Sequence, residues 1–282
     1  MKIGEYQKKI TACFQDHGFE CPETEAEYIL AEVTRYPERT LLMHAGEELD
    51  QNAMALAENF LKRRLANEPF QYIFGWTPFR DLDLKVGPGV LIPRPETEWF
   101  VDFILKKLPR NASVCELGTG SGAVSLSLAA ERKDLTVYGS ELSPEAFAWS
   151  ELNRKESGLK NVHFFQGSLF QPFQNMTFDA VFANLPYIDP EEREILPPNV
   201  RDYEPDKALF ADDKGFALME QTLREAPLYL NQQRAFLFFE MGETQGSRLA
   251  DSALQGNFFE HVTILPDQYG VRRFLFAEHL TL

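Results

Sequence analysis

The chain has 282 residues, 44% of them hydrophobic and 24 of them Phe, which is enough for a sizeable core and, on the preferred reading, for a small domain joined to one of roughly 200 residues. A formal charge of −15 argues against nucleic acid as substrate, because duplex binding draws most of its non-specific affinity from Lys and Arg on phosphates. Cys13, Cys21 and Cys115 are an odd count without CxxC spacing, which indicates neither a disulfide framework nor a zinc site, and no apolar run nears the roughly 20 residues of a membrane span. The expected setting is a reducing cytoplasm.

Residues 1–75 carry helical spacing: Ile3, Tyr6, Ile10 and Phe14, then Tyr28 to Val33, then Met54, Ala57, Leu61 and Leu65. A small helical bundle is expected, with start signals at Pro22 and Thr24 and again between Glu47 and Asp50. Lys62-Arg63-Arg64 falls in its third helix and reads as a solvated face. From 76 to 95 the pattern alternates through Phe79, Leu82, Leu84 and Val86, with Gly87-Pro88-Gly89 as a turn before Val90-Leu91-Ile92. That stretch reads as a β-hairpin linker. Pro93-Arg94-Pro95-Glu96-Thr97-Glu98 then opens a helix to about Leu108, proline and acids both suiting a first turn, and with it the larger domain, 96–282.

Beyond Ser113, short apolar strands alternate with helical stretches. They run Val114 to Leu117, Ala123 to Glu131, Thr136 to Gly139, Pro144 to Glu156, Val162 to Phe165 and Ala180 to Ala183. Such alternation implies an α/β domain with a doubly wound parallel sheet. A helix near Phe216 to Ala226, a strand Ala235 to Phe239, and candidate strands His261 to Leu265 and Arg273 to Ala277 follow. Glu240, directly after the Phe236 to Phe239 run, reads as the end of a strand and is left out of the site.

Glu116-Leu117-Gly118-Thr119-Gly120-Ser121-Gly122 lies where a first strand ends and a helix begins, and its glycines let backbone approach a ligand without Cβ collision. With Ala123 in last place the run also satisfies a dinucleotide fingerprint. Glu141, some twenty residues on at the end of the next strand, suits the hydroxyls of a ribose. Glu116 favours S-adenosylmethionine over a dinucleotide, since an acid suits a cationic amino-acid end and repels a pyrophosphate.

Asn184-Leu185-Pro186-Tyr187 closes the strand Ala180 to Ala183. The Asn184 side-chain oxygen and the Leu185 carbonyl are two acceptors for the two N–H bonds of one amide or amino group. Tyr187 offers a ring face to the flat acceptor and a sulfonium methyl. An amide nitrogen is a poor nucleophile, so alignment with the methyl-sulfur axis and acceptors that strengthen as N–H acidity rises must carry catalysis, without metal or general base. His17, His44, His163, His261 and His279 show no ligand spacing.

At these motifs the sequence resembles the peptide chain release factor glutamine N5-methyltransferases, the HemK or PrmC family, over nearly its whole length. The resemblance includes Leu91-Ile92-Pro93-Arg94-Pro95-Glu96-Thr97-Glu98, Tyr187-Ile188, Arg201 with Tyr203-Glu204-Pro205, Ala208-Leu209, and Asp267 to Gly270 before Arg273. It implies a class I S-adenosylmethionine-dependent methyltransferase domain, a doubly wound, mostly parallel seven-stranded sheet, behind a helical substrate-recognition domain and a hairpin linker. It implies methylation of the glutamine in the Gly-Gly-Gln motif of class 1 release factors; the acidic charge and the lack of an apolar span add the expectation of no direct nucleic-acid binding and no membrane, and a monomer is expected. By the same resemblance Gly118, Thr119, Gly120, Ser121, Gly122, Glu141 and Leu169 contact the cofactor beside Glu116, and Asn184, Leu185, Pro186 and Tyr187 hold the glutamine. Arg94 is read either as an ion pair or as a frame for the substrate cleft. Leu185 stands where the family has proline and Ser168 where it often has an acid, so loop rigidity and adenine contacts are the points of departure. Rival readings are a ribosomal-protein glutamine methyltransferase, an adenine-N6 DNA methyltransferase, and, from other classes, a nicotinamide-dependent dehydrogenase or an inactive binding module.

Overall fold

A computed structural model describes residues 1–280. They form two compact units, Met1–Phe74 and a larger one that begins at Gly75. The first contains α1 (Ile3–Asp16), α2 (Pro22–Thr34), α3 (Gln51–Leu65) and α4 (Phe70–Phe74), with a 3-10 segment Glu38–His44. Ile3, Tyr6, Ile10 and Phe14 are buried, as their spacing requires. α2 has Pro22 at its first helical position, and packing against the rest of the bundle buries the stripe Pro22, Ala26, Ile29 and Leu30, which leaves Tyr28 exposed. Asp50 caps α3 by accepting from Ala53 N at 2.8 Å, and Ala57 and Phe60 are its buried residues.

In the Lys62-Arg63-Arg64 run only Lys62 is a solvated side chain, and the two arginines are engaged. Arg64 makes a bidentate pair with Glu25 (2.6 and 2.8 Å), and Arg63 binds Glu68 and the carbonyls of Tyr72 and Ile73. The planar guanidinium fork lets both cations tie α3 to its own bundle.

The larger unit opens with an antiparallel hairpin, β1 (Trp76–Phe79) and β2 (Leu82–Lys85). Its own turn is at Arg80-Asp81, where Arg80 has φ 53°, while Gly87-Pro88-Gly89 is a second turn beyond the hairpin, with Val90 N donating to the Gly87 carbonyl at 3.4 Å. The Arg80 backbone N donates to Glu98 Oε1 (3.0 Å), Nη1 to the Glu98 carbonyl (3.0 Å), and its guanidinium pairs with Asp102 and Glu131. Val90 and Ile92 are buried outside any strand.

There follow α5 (Pro95–Lys107), β3 (Ser113–Leu117), α6 (Ala123–Glu131), β4 (Thr136–Glu141), α7 (Pro144–Ser157), β5 (Val162–Gln166) and β6 (Ala180–Ala183). Next come α8 (Pro198–Arg201), α9 (Asp206–Leu209), α10 (Ala217–Glu225), β7 (Arg234–Glu240), α11 (Gly246–Gln255), β8 (His261–Pro266) and β9 (Arg272–Leu280). The seven-stranded sheet has the order β5-β4-β3-β6-β7-β9-β8, parallel except for β9, which runs antiparallel to β7 and β8. This is the doubly wound, class I methyltransferase architecture.

Strand residues alternate between two cores. Val114, Ala180, Phe182, Phe236 and Phe238 pack with α5 and α6, while Cys115, Leu117, Val181, Ala183, Leu237 and Phe239 pack with α10 and α11. Both faces being covered, the strands read as unbroken apolar runs. α11, which was not named from sequence, is strongly amphipathic at helical period and buries Gly246, Leu249 and Ala253.

Asn153 on α7 ties the hairpin to the glycine loop. Its Oδ1 accepts from Lys85 N (2.7 Å), and its Nδ2 donates to the Lys85 and Ser121 carbonyls (3.0 and 2.9 Å). Asn153→Ala leaves those buried backbone groups unpaired and is expected to lower the unfolding free energy by about 1–3 kcal/mol, read by urea denaturation.

Candidate active site

In a doubly wound sheet, ligands bind beyond the carboxyl ends of the strands at the point where strand order reverses. Here that point lies between β3 and β6. Parallel pairing sets Leu117 beside Ala183, so the loops that follow, at Gly118 and Asn184, leave the sheet together. Gly118 has φ 75°, and a Cβ there would lie 3.1 Å from Leu185 Cδ2. The glycine is needed both for its backbone and for the close approach of the two loops.

A cavity of about 460 Å³ opens at this edge, in the range of small-molecule sites. Gly118, Gly120, Glu141, Ser168, Leu169, Asn184, Leu185 and Pro186 all contribute to its wall. Glu141 Oε2 accepts from Gly120 N (2.9 Å) and Oε1 from Ser143 N (2.8 Å). These bonds fix the carboxylate at the strand end and leave acceptor capacity for ligand hydroxyls. Burial pushes its pKa up, while the backbone N–H groups oppose that shift. Leu169 adopts φ 43°, a left-handed conformation that is costly for Leu and is held at the cavity wall.

The remaining residues of the glycine run stand behind the wall. Glu116, Thr119 and Ser121 are buried, and Gly122 caps α6 at φ 83°. Glu116 Oε2 accepts from the Ser125 backbone N (3.1 Å) and from the Ser125 hydroxyl. Burial raises its pKa to about 8. The bonded oxygen of this carboxyl therefore faces α6, and burial favours its protonated form.

A second cavity of about 230 Å³ adjoins the first, and Asn184, Leu91 and Ala208 line both. Arg94, Tyr187 and Glu240 complete its polar and aromatic wall among apolar residues such as Leu196 and Val200. Arg94 is at once ion-paired and at the cleft: its Nη2 lies 2.8 Å from Glu204 Oε1, and Glu204 Oε2 accepts from Ile92 N. Burial and the Glu240 charge push the Tyr187 phenol up to about 12, so its ring stays neutral.

Three supports of this site lie outside the residues assigned to it from sequence, Gln245 and Gly215 unnoticed there and Glu240 read as a mere strand end. Gln245 donates to the Tyr187 carbonyl (2.8 Å) and accepts from Gly242 N (2.9 Å). Gly215, at φ 83°, lies so close beneath Tyr187 that a Cβ would sit 1.9 Å from its carbonyl oxygen. Glu240 is fully buried and bonded to Thr97. The available signal was a carboxylate ending a wholly apolar strand. No group of three or more His, Cys, Asp or Glu among the described residues is arranged to hold a metal, and no described helix is long and apolar enough to cross a membrane.

Fold and site together define a methyltransferase. A family model described as a methyltransferase domain matches residues 108–265, and one described as the PrmC N-terminal domain matches residues 5–75. The release factor glutamine methyltransferase of Coxiella burnetii is 33% identical over 258 residues, 91% of each chain. That of Bacillus cereus is 32% identical over 285 residues, 99% of each, and that of Neisseria gonorrhoeae is 35% identical over 92% of this chain and 94% of its own. A solved methyltransferase from Pyrococcus furiosus, 18% identical, shares the fold with a TM-score of 0.54 over 82% of this chain and all of that one. The chain belongs to the release factor glutamine methyltransferase family.

Two outcomes test the local geometry. A carboxyl whose folded pKa is raised favours the folded state below its unfolded pKa, and that contribution is lost as pH rises through the folded value. Glu116 therefore makes wild-type stability fall between about pH 4.5 and pH 8, and Glu116→Gln is expected to remove that part of the decline in denaturant unfolding at pH 5 and 8.5. Gly215→Ala is expected to displace Tyr187 and reduce methyl transfer at least about tenfold, with the thermal midpoint reporting any wider damage.

Proposed function

We propose that this enzyme transfers a methyl group from S-adenosylmethionine to the side-chain amide nitrogen (N5) of the glutamine in the Gly-Gly-Gln motif of class 1 release factors. One observation carries the reading: Asn184 stands in the common wall of two adjoining cavities, one sized for a nucleoside-type ligand and one narrow, largely apolar and lined by an aromatic ring.

The larger cavity fits S-adenosylmethionine, with Gly118 and Gly120 admitting backbone close to the ligand, Glu141 placed for ribose hydroxyls and Leu169 for the adenine face. Ser168 lines the same wall and brings a hydroxyl where relatives often carry an acid. When bound, that molecule supplies an electrophilic methyl on its sulfonium. Asn184 Oδ1 and the Leu185 carbonyl then accept the two N–H bonds of the glutamine amide, which turns its nitrogen lone pair toward the donor side. Pro186 favours an extended Leu185, and the buried Leu185 side chain packs against Gly118. The Tyr187 ring closes the other side of the flat acceptor.

Arg94 frames the narrow cavity while Glu204 fixes it. The helical unit, Met1–Phe74, is assigned to recognition of the protein partner, and the enzyme is read as a monomer.

The test is transfer of label from S-adenosylmethionine to a purified class 1 release factor and to its Gly-Gly-Gln variant with Gln→Ala. Label is expected on the first alone; equal label on both would sink the proposal. Asn184→Ala is expected to lower turnover by about 10²-fold with cofactor binding retained in calorimetry, by analogy with losing one preorganised hydrogen-bonding partner.

A further inference from the structure

We propose that Glu240 is a positioning residue of the acceptor site: its carboxylate draws the NH2 of the Asn184 side chain inward, which leaves Asn184 Oδ1 to face the acceptor nitrogen. The proposal deepens the functional reading above and rests on Asn184 holding the substrate amide.

The placement follows from register. β6 and β7 pair in parallel with Phe182 beside Phe238 and Ala183 beside Phe239, so one step on Asn184 stands next to Glu240 on the same face of the sheet. That face packs on α5, and Thr97 Oγ1 donates to Glu240 Oε2 at 2.8 Å. The Asn184 amide interacts with the same carboxyl, yet Oε1 has no fully formed hydrogen bond among the described residues. A buried carboxylate oxygen left in that state is costly, and bonds of a reacting site commonly close only around the bound reactants. Glu240 and Asn184 both line the narrow cavity.

The two ends of an Asn amide have nearly the same shape, so only its partners decide which end points where. An ionised carboxylate accepts and never donates, hence it selects the NH2 end. A protonated carboxyl also donates, so it tolerates the reversed amide, which would set NH2 against the NH2 of the substrate. Reversal removes an acceptor and adds a donor clash.

The charged and titratable groups around Glu240 are Glu96 from α5, Arg273 from β9, and Tyr187 from the acceptor loop, with Thr97 and Asn184 as hydrogen-bonding neighbours. Burial, aided by Glu96, raises its pKa to about 7 against the opposing pull of Thr97, Arg273 and Asn184. Orientation of the amide is therefore expected to fail as pH falls through about 7.

The experiment is a pH profile from 5.5 to 8.5 of methyl transfer to a purified class 1 release factor by wild type, Glu240→Gln, Glu240→Ala and Thr97→Val. Cofactor affinity and thermal midpoints are measured alongside. Wild-type kcat is expected to fall on the acid side of about pH 7 with little change in KM for the release factor. Glu240→Gln, still able to accept but unable to titrate, should lose that acid limb and run about tenfold slower at its plateau. Glu240→Ala should lose about 10²-fold in kcat with cofactor affinity kept. Thr97→Val, deprived of the bond that favours the ionised form, should show its acid limb at higher pH. An unchanged acid limb in Glu240→Gln, or Glu240→Ala turning over at the wild-type rate, would overturn the proposal. Loss confined to the thermal midpoint and cofactor affinity, with the pH profile intact, would assign Glu240 a structural role and overturn it too. A wild type that labels no release factor would overturn the functional reading and this inference with it, an outcome visible before any variant is compared.

Discussion

The parallel register of β3, β6 and β7 is the constraint on which the site depends. Leu117 beside Ala183, and Ala183 beside Phe239, bring the ends of three strands to one edge, so Gly118, Asn184 and Glu240 become neighbours although 66 and 56 positions separate them in sequence. A slip of one residue in either pairing would turn Asn184 toward the opposite face of the sheet, away from Thr97 and Glu240. The apolar alternation that forbids such a slip, with Phe182, Phe236 and Phe238 on one face and Val181, Leu237 and Phe239 on the other, is thus also what aims Asn184.

Around that edge, polar groups are held from behind and seldom left to water. Glu141 is fixed by two backbone N–H groups, Arg94 by Glu204, the Tyr187 carbonyl by Gln245, and Glu240 by Thr97. Each support comes from a different element, so the acceptor loop is positioned by packing and not by its own short sequence. Preorganised acceptors of this kind suit a reaction in which a weak nucleophile must be aligned. The Arg80 anchor to α5 and α6 and the Asn153 bridge between hairpin and glycine loop extend the same logic to the segment carrying Leu91 and Arg94.

Buried carboxyls divide into two kinds here. Glu116 and Glu240 both end up in the apolar interior with raised pKa values, but one faces Ser125 inside α6 and the other faces the acceptor residue. Location relative to the cavity, and not the size of the shift, separates a structural acid from one that bears on the reaction.

The alternating strands and helices from Ser113 onward, the glycine run at the end of β3 and the Asn184 to Tyr187 turn were legible in sequence, because period and turn chemistry are local properties. The first helix was legible for the same reason. What lay beyond reach was anything set by a partner distant in the chain: the anchoring of the hairpin turn at Arg80 by Glu98, the phase of the α2 stripe within its bundle, and the pairing of Arg63 and Arg64. Glu116 and Glu240 show the division most plainly. Each is an acid at the end of a strand, and sequence placed the first in the site and left out the second. Register puts both on the same face of the sheet, Glu116 beside Phe182 and Glu240 two residues past Phe238, so only tertiary structure showed what covers each: Ser125 of α6 over Glu116, Thr97 of α5 and the cavity shared with Asn184 over Glu240, because those contacts are made between elements distant in the chain.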